Sequence, residues 1–433
     1  MNIKKEILYL IDKFSKDKFA IKDFIPGVTP VPVSGKVLDS AELKNMVEAS
    51  LDGWLTSGRF NKEFEEKISL FIGSKLAITV NSGSSANLVA FMTLTSPKLK
   101  EKKILPGDEI ITVAAGFPTT INPIIQFGAI PVFIDVDIPT YNIKVDDIES
   151  AITKKTKAIM IAHTLGNPFD LKKIREICDK YNLWLVQDTC DALGARFDKK
   201  PLGFYGDIGT VSFYPAHHIT MGEGGLVYTN SIQLKKIAES FRDWGRDCYC
   251  ETGKDNTCNK RFDWQLGNLP AGYDHKYTYT HMGYNLKITD MQAACGLAQL
   301  NKIEMFIKKR VENFDYLHKI FSNLEDYFIL PKKTKNSEPS WFGFLLTVKD
   351  GKLKRNDLLK FLDERKIGTR LLFAGNVTKQ PYMVNKKYVI HKNLNNTDKI
   401  MNDSFWVGVY PGLDRRHLDY IYLSINEFLK KLN

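Results

Sequence analysis

Ser212-Phe213-Tyr214-Pro215-Ala216-His217-His218-Ile219-Thr220-Met221-Gly222-Glu223-Gly224-Gly225 is the stretch on which the reading of this chain turns. It follows a series of apolar strands and closes in a glycine-rich turn. His217 stands midway between Ser212 and Gly222. An imidazole has a pKa near about 6.5, which suits it to move a proton at neutral pH. It cannot form a stable imine, so it cannot anchor a carbonyl coenzyme covalently. A lone loop histidine is more often a satisfied structural residue than a base, so the frame around His217 decides its meaning.

Upstream, apolar strands at about 76–80, 110–113, 129–136, 157–162 and 183–188 alternate with helices. This order, continued to about residue 230, predicts a doubly wound, mostly parallel α/β sheet. Ligands of such sheets sit beyond the carboxyl ends of the strands. Asn81-Ser82-Gly83-Ser84-Ser85-Ala86-Asn87 after the first strand opens a helix. Free N–H groups and the helix dipole make such a turn an anion site, with serine hydroxyls as further donors. Phe117 follows the second strand, and Asp188 ends the strand at 183–188. A helix at about 290–320 leads to a smaller α+β region with a strand at 341–348 and helices at 355–364 and 415–431. The domains expected are an N-terminal helix and extended arm (1–39), a large domain (40–305) and a small C-terminal domain (306–433). In the arm, residues 3–18 read as an amphipathic helix with Ile3, Ile7, Leu10, Ile11 and Phe14 on one face. The Pro-rich run from Ile25 to Pro32 reads as extended, because residues before proline avoid the helical region.

The 433 residues carry 61 Lys and Arg against 50 Asp and Glu, a net charge of +11. The lysines are scattered, with no basic helix or aromatic-interleaved stripe, so nucleic acid is not an expected partner. An anionic substrate could use part of the charge. No apolar stretch reaches the about 18 residues of a membrane span. The run from Ile7 to Ile11 is too short for a signal peptide, so the protein is expected in the cytoplasm, where structural disulfides are rare.

The frame around His217 resembles the active-site segment of the sugar aminotransferases that use pyridoxal phosphate (PLP). In that family a lysine five residues after a serine holds PLP as a Schiff base. Here the position is His217, so the covalent anchor is replaced by a base. The resemblance extends to the Phe64-Glu65 helix and to the Ser84–Ser85 turn, which implies the coenzyme-phosphate loop. It implies Phe117 stacked on the coenzyme ring and Asp188 against the pyridine nitrogen, where a carboxylate keeps the ring an electron sink. Ser212 and Asp191 complete the implied coenzyme set; Asp191 departs from the family's usual Gln or His. Gly283-Tyr284-Asn285 resembles a segment whose asparagine reaches the neighbouring subunit's coenzyme phosphate, which implies a homodimer with shared sites. The implied fold is fold-type I, with a large sheet domain and a small C-terminal domain.

Six cysteines are present. Cys178 and Cys295 read as inert core thiols. Cys190, the Cys248-Tyr249-Cys250 pair and Cys258 stand apart, with a polar loop at 251–257 between the last two. Four thiolates suit zinc or an iron–sulfur cluster, and four unrelated thiols are the plain alternative. With His217, this spacing resembles the [2Fe-2S] pattern of the CDP-4-keto-6-deoxyglucose 3-dehydrases. That resemblance implies a pyridoxamine phosphate (PMP) enzyme acting on a CDP-4-keto-6-deoxyhexose, with electrons from a separate flavin/iron–sulfur reductase, in dideoxysugar synthesis for surface polysaccharide. It implies a cluster close to the coenzyme, since Cys190 is two residues beyond Asp188. Arg370 and Tyr382 are candidate substrate contacts. The alternatives are an aminotransferase or cluster-free 3-dehydratase on another nucleotide sugar, and a non-enzymatic protein of this fold with a structural metal.

Overall fold

The computed structural model describes residues 3–20, 23–250 and 253–432; residues 251 and 252 of the polar loop between Cys250 and Cys258 lie outside them. Its centre is an eight-stranded sheet. The strands, in chain order, are β1 (Leu76–Val80), β2 (Glu109–Val113), β3 (Ile130–Ile134), β4 (Thr156–Ala162), β5 (Trp184–Asp188), β6 (Ile208–Ser212) and β7 (Gly225–Thr229). β8 (Phe328–Ile329), β9 (Gly343–Val348), β10 (Val389–Ile390) and β11 (Ser404–Gly408) follow. The order across the large sheet is β1-β7-β6-β5-β4-β2-β3-β10. β7 alone runs against its neighbours, pairing antiparallel with both β1 and β6. The other strand pairs of this sheet are parallel. β6 is buried throughout and the last four residues of β5 are buried, as strands covered on both faces require.

The helices that bear on the site are α1 (Ile3–Lys18), α2 (Ser40–Leu51), α3 (Arg59–Ile72), α4 (Gly83–Thr93), α5 (Pro118–Phe127) and α6 (Leu171–Tyr181). Then come α7 (Ile232–Arg242), α8 (Asp290–Leu300), α9 (Ile303–Phe321), α10 (Arg355–Glu364), α11 (Asn395–Asp403) and α12 (Arg415–Lys430). Local chemistry sets several of the ends. Asp39 and Glu42 form a capping box at α2, and Gly73 ends α3 in the left-handed region. The helix expected over 290–320 is two. The chain breaks at Asn301-Lys302, so that α8 stays with the large sheet while α9 crosses toward the C-terminal layer.

The arm is not extended where it starts. Pro26 and Gly27 form a turn in which Val28 N–H donates to the Ile25 carbonyl at 3.1 Å, and Gly27 takes φ +75°. A Pro-Gly pair favours such a turn more strongly than proline favours extension. Beyond it Val31 bridges Ile367, and Phe24 and Val31 join the core built on β9, β11, α9 and α12. α1 keeps its apolar face, yet Ile3, Leu10 and Phe14 are exposed. The C-terminal region reaches back to the large sheet: β10 extends its edge, and Asp135 just past β3 accepts the N–H groups of Asn396 and Thr397 in α11. No helix among the described residues is long and apolar enough to cross a membrane.

Candidate active site

The ends of β1, β5 and β6 converge beside the N-termini of α4 and α5. Two glycines make the approach possible. A Cβ on Gly83 would lie 2.4 Å from Ser212 Cβ, and one on Gly225 would lie 2.2 Å from the Ser82 carbonyl. The small-residue turn therefore sits directly against the Ser212 end of β6. Ser82 caps α4, its hydroxyl accepting from Ser85 N–H at 3.0 Å, and Ser85 Oγ donates to Asn81 Oδ1 at 2.6 Å. Ser84 is exposed at this first turn, where backbone N–H groups have no partner within the helix.

Asp188 is buried at the tip of β5. Its Oδ2 accepts from Asn87 Nδ2 at 2.8 Å and from Thr120 Oγ1 at 2.7 Å, and its Oδ1 from Cys190 N–H at 3.1 Å. Asn87 is itself fixed, because Thr210 Oγ1 donates to its Oδ1 at 2.7 Å. A carboxylate offers about four acceptor positions. Three are used, so the group is oriented by the protein and keeps capacity for one more donor. Phe117 lies at the mouth, 48 % exposed, with Phe373 edge-on at 6.2 Å.

His217 follows a turn closed by its N–H on the Tyr214 carbonyl at 2.9 Å. Its Nδ1 lies 3.3 Å from Asp191 Oδ1, an ion-pair distance without hydrogen-bond alignment. Burial pushes the Asp191 carboxyl up, and His217 pulls it part of the way back. The imidazole lies 5.2 Å from the Phe342 ring at a tilt of 34°. Behind it, His218 is buried with Nε2 2.9 Å from the Ser340 carbonyl oxygen, and burial holds its pKa well below the usual range. Asp188, Asp191, Ser212 and His217 thus lie on two adjacent strand ends, and Ser85 on the capped turn beside them. Asn285 is exposed on a separate segment, where it bridges Asp243 and accepts from Lys287 Nζ at 2.8 Å. Arg370 bridges Trp406 through its backbone, and Tyr382 is exposed in the middle of the 381–383 turn.

Of the four singled-out cysteines, Cys248, Cys250 and Cys258 lie close enough to act on one another, and Cys190 follows the end of β5. Among the described residues no group of three or more His, Cys, Asp or Glu side chains is arranged to hold a metal ion. Cys190 is tied to β5 by its N–H on Asp188, and burial together with the Asp188 charge raises its thiol pKa well above the ordinary value. The other three lie near two ion pairs, Lys98 with Asp247 and Lys276 with Asp255. Cys248 senses Cys250 and Cys258, and burial raises its thiol. Cys250 is also pushed up by burial, but hydrogen bonds from Thr257 and Cys248 outweigh that and leave it lowered. Cys258 Sγ lies 3.7 Å from His275 Nε2. The donor chemistry suits a soft metal, with three thiols on one segment and the fourth, Cys190, beside Asp188. Cys178 and Cys295 are the core thiols expected, both buried and both pushed up to about 12 by burial.

Sequence reading missed Asn87, Thr120, Arg310 and Phe342. Asn87 stands inside the serine-rich stretch already singled out and Thr120 three residues past Phe117, and their place near the start of a helix facing a strand-end acid was the available signal. Arg310 and Phe342 come from more than ninety residues downstream, and no local pattern marks them.

The DegT/DnrJ/EryC1/StrS aminotransferase family matches the chain over residues 37–426. The lipopolysaccharide biosynthesis protein RfbH of Salmonella typhimurium is 60% identical over 428 residues, 99% of this chain and 98% of that protein. The dTDP-4-dehydro-2,6-dideoxy-D-glucose 3-dehydratase of Saccharopolyspora spinosa is 52% identical over 409 residues, 94% of this chain and 88% of that one. The solved structure of the E. coli GDP-4-keto-6-deoxy-D-mannose-3-dehydratase with bound hydrated PLP superposes with a TM-score of 0.81 at 29% identity, covering 91% of this chain and 99% of that one. The fold-type I architecture expected from the order of elements is the one found, and the chain is a member of the DegT/DnrJ/EryC1/StrS aminotransferase family.

Proposed function

We propose that this protein is a PMP-dependent 3-dehydrase that removes the C3 hydroxyl of a nucleotide-linked 4-keto-6-deoxyhexose. The observation that carries the reading is His217, a base opposite Asp191 where the family's aminotransferases place their anchoring lysine. Two relatives support it by name, one in lipopolysaccharide biosynthesis and one a sugar 3-dehydratase. When bound, PMP supplies an amine that condenses with the C4 ketone and a ring that accepts electron density.

The protein's residues divide the rest. The first turn of α4, with Ser84 and Ser85, and Ser212 beside it, hold the coenzyme phosphate. Phe117 covers one ring face. Asp188, oriented by Asn87 and Thr120, accepts the pyridinium N–H with its remaining capacity. His217 takes a proton at the coenzyme C4′ carbon, and Asp191 stabilises the imidazolium that results. Asn285 reaches the phosphate of a second copy in a homodimer. The resemblance to the CDP-4-keto-6-deoxyglucose 3-dehydrases supports CDP as the nucleotide and a [2Fe-2S] centre on Cys190, Cys248, Cys250 and Cys258 fed by a separate reductase. A cluster-free 3-dehydratase is the second reading, and no step here is routed through a cluster.

Solvent exchange of the C4′ hydrogen tests the reading. Protein loaded with PMP and given CDP-4-keto-6-deoxyglucose in deuterated water should exchange it, and His217→Asn should lose the exchange by about 10²–10⁴-fold. Unchanged exchange in His217→Asn would remove His217 from the mechanism.

A further inference from the structure

Arg310, on α9, is 1% exposed and is among the largest fully buried side chains of the described residues. Guanidinium groups are rarely buried without a carboxylate partner. No carboxylate lies within ion-pair distance of Arg310 among the described residues; Asp191 is near enough only to be felt. Burial lowers its pKa to about 10, so it remains charged at neutral pH. A leucine or methionine would fill this volume without the desolvation cost. The position therefore uses the charge or the donors.

The donors reach three carbonyls. Nη2 donates to His217 O at 3.3 Å, and Nη1 to Phe342 O at 3.3 Å and Trp341 O at 3.4 Å. The two strands of contact meet again on the far side, because the Phe342 ring packs against the His217 imidazole. The guanidinium also lies over the Phe342 ring at 5.6 Å. One planar group thus sets both the backbone that carries His217 and the ring that borders it. His217 has few other restraints. Its Nδ1 has no aligned hydrogen bond, although it faces Asp191.

We propose that Arg310 is the positioning residue for His217: it spans the His217 and Phe342 carbonyls and so aims the imidazole into the site. This rests on the reading of His217 as the base. A positional error of about 1 Å in a catalytic group can cost about 10²-fold in rate.

The test compares Arg310→Met, Arg310→Lys and His217→Asn with the wild-type chain. Three quantities are read: the melting temperature, the rate at which diethyl pyrocarbonate modifies His217 in coenzyme-free protein (mapped by peptide), and C4′ hydrogen exchange in the PMP-loaded protein. Arg310→Met is relieved of the desolvation cost but leaves three carbonyls without this donor, so it should stay folded with a moderately lower melting temperature and bind PMP normally. It should modify at His217 several-fold differently and exchange about 10²-fold more slowly. Arg310→Lys, with one ammonium for three carbonyls, should recover part of the exchange. Wild-type exchange and wild-type modification in Arg310→Met would overturn the proposal. Loss of folding in both Arg310 variants would also overturn it, by making the residue a requirement of the fold. If His217→Asn still exchanges, the base reading fails, while the modification rate still decides whether Arg310 orients the ring.

Discussion

His217 Nδ1 stands 3.3 Å from Asp191 Oδ1, across the ends of two neighbouring parallel strands. A carboxylate so placed favours the protonated imidazole that forms when His217 takes a proton. Asp191→Asn should therefore slow C4′ exchange, by less than loss of the base itself. It should not destabilise the fold. Burial raises the Asp191 pKa in the folded state, so the wild-type carboxyl loses stability as pH rises through the ordinary value toward the folded one. At neutral pH the amide removes that penalty. A lower melting temperature for Asp191→Asn at pH 7 would contradict this sign.

Asp188→Asn tests the strand-end carboxylate. Asn87 Nδ2, Thr120 Oγ1 and Cys190 N–H all donate to it. An amide there offers one acceptor atom in place of two and introduces donors facing donors. The expected cost is about 1–3 kcal/mol of stability, with turnover largely abolished because the coenzyme ring loses its partner. Calorimetry and turnover on the same preparation measure both. Turnover near wild type would place the ring partner elsewhere.

The cluster is tested by iron and sulfide content per chain in anaerobically purified protein. If Cys190, Cys248, Cys250 and Cys258 bind one [2Fe-2S] centre, each Cys→Ser change among them lowers the content, and Cys178→Ser and Cys295→Ser do not. Full iron in all four variants would place the iron on other ligands, and none in the wild type would favour the cluster-free reading.

His281 carries a pH dependence of stability. It is buried against Phe241, with Ser96 Oγ 2.7 Å from Nε2 and Ser240 Oγ 2.8 Å from Nδ1. Burial, helped by the Lys98 charge, lowers its pKa to about 4. The unfolded chain takes the proton first as pH falls. The stability that His281 contributes is thus complete above about pH 6.5 and declines toward pH 4, by about 3 kcal/mol at most. His281→Gln should flatten this part of the melting-temperature profile against pH. An unchanged slope would assign it to other groups.

Much of this molecule is legible from its residues because the evidence is local. α1 and α10 occupy the spans that their periodicity indicates, and the buried strands end where an acid or small residue follows. The failures have physical causes too. Pro26-Gly27 forms a turn because glycine tolerates positive φ, which outweighed the proline rule. The α8–α9 break at Asn301-Lys302 has no proline or glycine to announce it. In the site, Asp188 and His217 sit at strand ends that the pattern of elements exposes. Arg310 and Phe342 arrive through tertiary packing, and a charged residue inside an amphipathic helix reads as surface until its burial is known. The cysteine grouping comes from spacing and resemblance, and Cys248, Cys250 and Cys258 do lie near one another.

The most direct measurement is the identity of the sugar product. PMP-loaded protein is incubated with CDP-4-keto-6-deoxyglucose and a reductant that can pass single electrons, and the nucleotide sugar is examined by mass spectrometry and NMR. The proposed function requires a product that has lost the C3 oxygen and kept the C4 ketone, with no formation in His217→Asn. A product with the C3 hydroxyl intact and an amine at C4 would contradict it and make the protein an aminotransferase.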